Sequence, residues 1–290
     1  MEPATGAAEL RFGFGRNWRS FVDASLSEER VAEAERSLQA LLRRDSLRGL
    51  VFVDIGCGSG LFSLAACRLD AARVVSFDFD PDSVATAEYV RQRYGIAVDR
   101  WQIARGSILD PKPIAGLGPA DVVYSWGVLH HTGQMWKAID NAVGLVKPGG
   151  ALAISIYNNV QRMPDSSAMW WRIKRAYNRA GPVRRRLMEF AYVSNFVATR
   201  LVTLRNPFRA MADRSGGTGR RGMDFWHDVR DWLGGFPYEY ATAGEVFNYV
   251  HERHGLALEY LRTQDGNVCN EFLFRKPGVE TTPGSHGPTR

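Results

Sequence analysis

Three glycines at alternate positions, Gly56, Gly58 and Gly60, follow an apolar run, Val51-Phe-Val-Asp-Ile55, that contains the acid Asp54. Glycine tolerates positive φ and has no Cβ, so a ligand can lie directly against the backbone of Gly56, Cys57, Gly58, Ser59 and Gly60. A second apolar run ends on Asp78, at the separation expected of a carboxylate that grips ribose hydroxyls, with Phe79 beside it. A third run ends in Trp126-Gly127 and is followed by His130 and His131. Histidine is the side chain best suited to take a proton near neutral pH. These residues describe a nucleotide-like ligand held at strand ends with a proton acceptor close by.

The glycine spacing narrows the ligand. A dinucleotide fingerprint is Gly-x-Gly-x-x-Gly, whereas here the third glycine comes one position early and Leu61 stands in its place. A nicotinamide cofactor is therefore the weaker reading, and a glycine-rich turn without ligand is the bland one.

Alternating elements must position these residues. Residues 50–55, 73–78, 101–105, 121–126 and 151–156 read as strands, and 61–69, 82–94 and 134–146 as helices. Such alternation implies a mainly parallel sheet covered on both faces. Ser25-Leu-Ser-Glu28 has capping-box spacing ahead of a helical repeat through Val31, Leu38 and Leu42. Lys147-Pro-Gly-Gly150 is expected to break the 134–146 helix before the fifth strand. Residues 243–254 read as a helix, and 256–262 and 269–275 as strands joined through Gln264-Asp-Gly-Asn267, a hairpin signal.

The net charge of +6 is unevenly placed. Between Arg172 and Arg221 there are thirteen Lys or Arg against Glu189 and Asp213. The basic residues are interleaved with an apolar helical pattern at Leu187, Phe190, Ala191, Phe196, Val197 and Leu201, which predicts an amphipathic helix with a solvated basic face. An anionic substrate, a peripheral membrane contact or RNA are the other readings of that charge, and charge alone gives nucleic acid little support. No apolar run approaches the roughly 20 residues that span a bilayer. Met1-Glu-Pro-Ala-Thr-Gly-Ala-Ala-Glu has neither a basic leader nor an apolar core, so a cytoplasmic location is expected. Cys57, Cys67 and Cys269 lack metal-ligand spacing, which predicts reduced thiols and no metal.

Asp54-x-Gly-x-Gly-x-Gly60 resembles the cofactor loop of the class I S-adenosylmethionine-dependent methyltransferases. Asp121-Val-Val-Tyr-Ser-Trp-Gly-Val-Leu-His-His-Thr132 and Val146-Lys-Pro-Gly-Gly150 resemble their fourth strand and the segment beyond it. Phe12-Gly-Phe-Gly-Arg-Asn-Trp18, Ile156-Tyr-Asn158 and Met223-Asp-Phe-Trp-His-Asp-Val add a similarity to a quinone-methylase-like bacterial subgroup. The resemblance implies an α/β fold: a Rossmann-like, seven-stranded, doubly wound sheet with a C-terminal β-hairpin and a helical insertion between strands 5 and 6. The chain then divides into an N-terminal segment and lid helix (1–47), a cofactor-binding core (48–157), a helical, basic substrate-cap insertion (158–242), a final helix and two strands (243–276) and a tail (277–290) whose Gly, Pro, Ser and Thr content predicts disorder.

The resemblance also implies S-adenosylmethionine as cofactor. Asp54 and the backbone of Gly56 to Gly60 would face its methionine end, Asp78 its ribose and Phe79 its adenine. Ser107 and Ile108 would lie near the adenine amino group, where relatives usually place an acid. Trp126 and Gly127 would lie near the sulfonium. One of His130 and His131 would act as base or orient the acceptor, since neighbours in a turn do not point one way. Trp18 in an N-terminal lid, Tyr157 and Asn158 after the fifth strand, and Trp226, His227 and Tyr238 in a later aromatic cluster would contact substrate. The expected partner is a small aromatic or polycyclic acceptor methylated on oxygen or nitrogen, as in secondary metabolism; a polyprenylated quinone or membrane lipid is the alternative. A nicotinamide oxidoreductase or a non-catalytic cofactor binder are the alternatives of another class.

Overall fold

The computed structural model describes Val22, residues 26–110, residues 118–204, Asn206 and residues 225–278. Seven strands form one sheet in the order β3-β2-β1-β4-β5-β7-β6. They are β1 (Val51–Ile55), β2 (Arg73–Asp78), β3 (Trp101–Arg105), β4 (Ala120–Trp126), β5 (Val146–Tyr157), β6 (Ala257–Arg262) and β7 (Cys269–Arg275). The first five are parallel, and β7 runs antiparallel between β5 and β6. The expected doubly wound sheet with its hairpin is thus present.

The helices are α1 (Glu28–Leu42), α2 (Leu61–Arg68), α3 (Pro81–Arg93), α4 (Met135–Gly144), α5 (Ser167–Arg179), α6 (Pro182–Val202), α7 (Phe225–Gly234) and α8 (Ala243–His254). Alternation along β1 divides the core into two layers. Phe52 packs with Leu38, Leu64, Ala65 and Trp101 on one face, and Val53 and Ile55 with Ile139, Val246 and Phe272 on the other. The helix expected as part of a lid, α1, buries Val31, Ala34, Leu38, Leu41 and Leu42 and packs on α2. Its N-cap is Ser27, whose hydroxyl accepts the Arg30 N–H at 3.4 Å; Ser25 lies outside the described residues.

Two sequence expectations need correction. β5 begins at Val146, not after Lys147-Pro-Gly-Gly150, because Val146 pairs with Ala120 before the register shifts to Val122↔Ala151. Gly150 permits that shift: a Cβ there would meet the carbonyl oxygens of Lys147, Ala120 and Asp121 at 2.9, 3.0 and 3.0 Å. The second concerns α6, which packs on α5 and α7 through Met188, Tyr192, Val193 and Phe196. Leu187, Phe190 and Leu201, expected on its packed side, are instead 63%, 72% and 59% exposed.

The insertion between β5 and β6 has two small cores. Tyr177, Val229 and Leu233 centre one, and Tyr157, Phe236, Tyr238 and Cys269 the other. Trp170 packs against both, so the cap and the end of β5 share a side chain.

Candidate active site

The strand order reverses at β1, which is flanked by β2 and β4. In open α/β sheets the crevice at such a switch point, outside the carboxyl ends of the strands, is where ligands bind. The loops after β1 and β4 both leave the sheet there. Gly56, Gly58 and Gly60 take φ of 73°, 54° and 78°. The Gly56 and Cys57 N–H groups donate to the Phe77 carbonyl at 2.8 and 3.2 Å. A Cβ on Gly56 would lie 2.4 Å from Val128 Cγ1, and one on Gly60 2.9 Å from the Trp101 ring. Glycine is therefore required by conformation and by space together.

Asp78 ties this loop to β2. Its Oδ2 accepts the Gly58 N–H and its Oδ1 the Asp80 N–H, each at 2.9 Å. Each oxygen retains a lone pair for a further donor, and burial pushes the carboxyl pKa up. Phe79, next in sequence, is 51% exposed. A half-buried acceptor carboxylate beside a half-exposed aromatic ring fits a nucleoside: hydroxyls on the carboxylate, the base along the ring. Cys57 and Ser59 are 8% and 4% exposed, so neither side chain lies open in the crevice.

Asp54 occupies a different position from the expected one. It is 2% exposed and lies beneath the loop, facing α2, because even-numbered positions of β1 point to that layer. Its Oδ2 accepts the Ser63 hydroxyl at 2.5 Å. Ser63 lies 2.6 Å from the Ser76 hydroxyl, which accepts Trp101 Nε1–H at 2.7 Å. Since Ser63 spends its one proton on Asp54, the chain of donors runs from Trp101 through Ser76 and Ser63 to Asp54. Burial pushes the Asp54 pKa up to about 7.

After β3, the Ile108 side chain is 3% exposed and packs in the core, while its carbonyl accepts Asn141 Nδ2–H at 2.6 Å. Ser107 is half-buried and its hydroxyl accepts the Leu109 N–H at 3.2 Å; Asp110 is exposed. At the end of β4, Trp126 donates Nε1–H to Glu271 at 3.3 Å. The Gly127 N–H donates to Ser155 Oγ at 2.8 Å, and the space where a Gly127 Cβ would stand is open to 4 Å.

Residues 53–152 match the family model described as a methyltransferase domain. A ubiquinone biosynthesis O-methyltransferase of Xylella fastidiosa is 32% identical over 121 residues, 42% of this chain and 47% of that protein. A ribosomal-protein methyltransferase of Vibrio parahaemolyticus is 36% identical over 109 residues, 38% of this chain and 34% of that protein. The solved magnesium protoporphyrin IX methyltransferase of Synechocystis superposes with a TM-score of 0.53 at 13% identity, over 93% of this chain and 97% of that one. The chain carries the domain of the class I S-adenosylmethionine-dependent methyltransferases. It spans about half the length, or less, of the curated relatives it matches.

Across the crevice of this methyltransferase domain, the loop after β4 forms a short 3-10 turn, Leu129–His131. The two histidines, expected to diverge, both bring their rings to Tyr157, with centroids 4.2 Å away for His130 and 5.6 Å for His131. His130 is fully buried, which removes it from contact with an acceptor. His131 is half-buried, and its Nδ1 lies 2.5 Å from the Pro237 carbonyl. A carbonyl only accepts, so Nδ1 carries the proton and, in the neutral ring, Nε2 keeps the basic lone pair.

The remaining acceptor-side candidates do not share one surface. Tyr157 and Tyr238 are 5% and 2% exposed within the aromatic cluster, whereas Trp226 on α7 is 48% exposed. The Asn158 amide donates to the Gln264 carbonyl and accepts from Asn270, each at 3.3 Å, fastening β5 to the hairpin. His227 lies on α7, and Trp18 lies outside the described residues.

Sequence reading missed Glu239. Its N–H donates to the His130 carbonyl at 2.9 Å, and its carboxylate accepts the Met135 N–H at 3.0 and 3.2 Å, capping α4. With Pro237, it clamps the histidine turn. The signal was there only as Phe236-Pro-Tyr-Glu239, with nothing local to say that it lands on a turn about a hundred residues earlier.

Proposed function

We propose that this chain transfers a methyl group from S-adenosylmethionine to an oxygen or nitrogen atom of a small aromatic or polycyclic acceptor. The observation that carries this reading is the bracing of the Gly56 to Gly60 cradle by Asp78, with Phe79 half-exposed beside it. The O-methyltransferase name of several relatives supports oxygen as the acceptor atom. When bound, S-adenosylmethionine supplies a methyl carbon already activated by its sulfonium.

The chain's own residues then have three tasks. Asp78 and Phe79 hold the nucleoside half, while the glycine backbone approaches the amino-acid half. The crevice aligns the acceptor and excludes water, the main protein contribution when the donor is preactivated. His131 Nε2 takes the proton of a phenol or alcohol as its oxygen bonds the methyl carbon and the carbon–sulfur bond breaks, leaving S-adenosylhomocysteine. A neutral amine acceptor needs no base in the bond-forming step.

Calorimetric titration with S-adenosylmethionine tests the first half, and turnover of methyl-labelled cofactor with phenolic, amine and lipid acceptors the second. Binding that Phe79→Ala weakens supports the reading. Tight binding of NAD(P)H with none of S-adenosylmethionine refutes it. A polyprenylated quinone or other lipid as acceptor is a second reading, favoured by the exposed apolar face of α6.

A further inference from the structure

We propose that α6 docks this chain on the surface of an anionic lipid bilayer. The inference rests on the cap alone and stands whichever acceptor is methylated.

The 21-residue helix α6 has two apolar faces. One packs on α5 and α7 through Met188, Tyr192, Val193 and Phe196. The other carries Val183, Leu187, Phe190 and Leu201, exposed by 75%, 63%, 72% and 59%. Positions 183, 187, 190 and 201 fall within a narrow arc at 3.6 residues per turn, so these side chains form one stripe. Val202 and Leu204 continue the apolar surface at its end, 84% and 96% exposed. Exposed apolar area of this size and continuity is unusual on a surface that faces only water.

Charge identifies the occupant. Arg184 and Arg186 are exposed and border the stripe on opposite sides. On α5, Arg172 and Arg179 are exposed as well. The one acid of α6, Glu189, is buried and accepts the Tyr177 hydroxyl at 2.6 Å, so it does not offset them. A second copy docked face to face would set arginines against arginines. RNA would satisfy the arginines and leave Leu187 and Phe190 in water. An apolar face bordered by arginines is the pattern of a helix lying in the headgroup layer of an anionic membrane. The helix is about 30 Å long, enough for the whole stripe to lie flat in that layer.

The test is flotation of the full chain with vesicles of phosphatidylcholine, and of phosphatidylcholine and phosphatidylglycerol mixed two to one. The expected result is binding to the mixed vesicles only, released in ~1 M salt, where the Debye length falls to about 3 Å. Leu187→Ser with Phe190→Ser removes apolar area without changing charge and should weaken partitioning by tenfold or more, since both apolar side chains leave water on docking. Arg184→Gln with Arg186→Gln should weaken binding to the mixed vesicles as well. All four side chains are exposed, so folding is preserved, and circular dichroism verifies it. Absence of flotation at low salt overturns the proposal. So does vesicle binding that ignores the serine pair, or a dimer in light scattering that the serine pair dissociates.

Discussion

Replacing Gly56 by alanine separates two demands that the cofactor loop makes on one position. Gly56 has φ of 73°, and a Cβ would lie 2.4 and 2.6 Å from the two γ carbons of Val128. Left-handed backbone costs an L-residue about 1–2 kcal/mol. Forcing a methyl into occupied space adds about 1–3 kcal/mol, so Gly56→Ala should lose roughly 2–5 kcal/mol of stability. Gly49 provides the control: its φ is 77°, but a Cβ there has nothing within 4 Å. Gly49→Ala should therefore show the backbone part alone, about 1 kcal/mol after the stiffer unfolded chain is counted. Val128→Ala in the Gly56→Ala background should restore the packing part and leave the backbone part. Urea unfolding of the wild type, Gly49→Ala, Gly56→Ala, Val128→Ala and the Gly56→Ala/Val128→Ala double variant measures both. Equal losses at Gly49 and Gly56, or no coupling between Gly56 and Val128, would refute the steric argument.

The buried Asp54, with its pKa raised to about 7, favours the protonated folded state. Its stabilising contribution is complete below the ordinary carboxylate pKa of 3.8 and is lost as pH rises through about 7, so stability should fall between about pH 4 and 7 with a slope that Asp54→Asn reduces in denaturant titrations. His131→Asn can still donate to the Pro237 carbonyl but cannot take a proton; with a phenolic acceptor kcat should drop by roughly 10²–10⁴ while calorimetry shows unchanged cofactor affinity. Asp78→Ala leaves the Gly58 and Asp80 N–H groups without their acceptor and should weaken S-adenosylmethionine binding by a factor of at least ten, about 1.4 kcal/mol, for the two charge-assisted bonds lost.

The parallel sheet was legible because its strands are short apolar runs closed by glycine or acid, a pattern that survives without knowledge of partners. The loop was legible for the same reason: Gly56, Gly58 and Gly60 are required by the chain's own conformation. What eluded the sequence depends on contacts made at a distance. In α6, Leu187, Phe190 and Leu201 form as good a stripe as Met188, Tyr192, Val193 and Phe196, and only α5 and α7 decide which is covered. The start of β5 was hidden because Lys147-Pro-Gly-Gly150 carries the residues of a break, yet Ala120 offers Val146 a partner before it. His130 and His131 are alike as residue types; burial beneath Tyr157 and the carbonyl of Pro237 separate them.

The placement of β7 between β5 and β6 also governs how the sheet is completed. Tyr157 pairs with Cys269, whereas β6 finds its partner in β7 alone, so the β6-β7 hairpin is local but joins the sheet only once the chain has closed a loop that contains the entire cap. Closure entropy grows with the length of flexible chain to be closed, and long-range pairings of this kind are slow. Collapse of α5, α6 and α7 onto their own small core shortens that loop beforehand. Substitutions that loosen the cap core, at Tyr177 or Leu233, should consequently slow refolding of the sheet, although neither residue belongs to a strand.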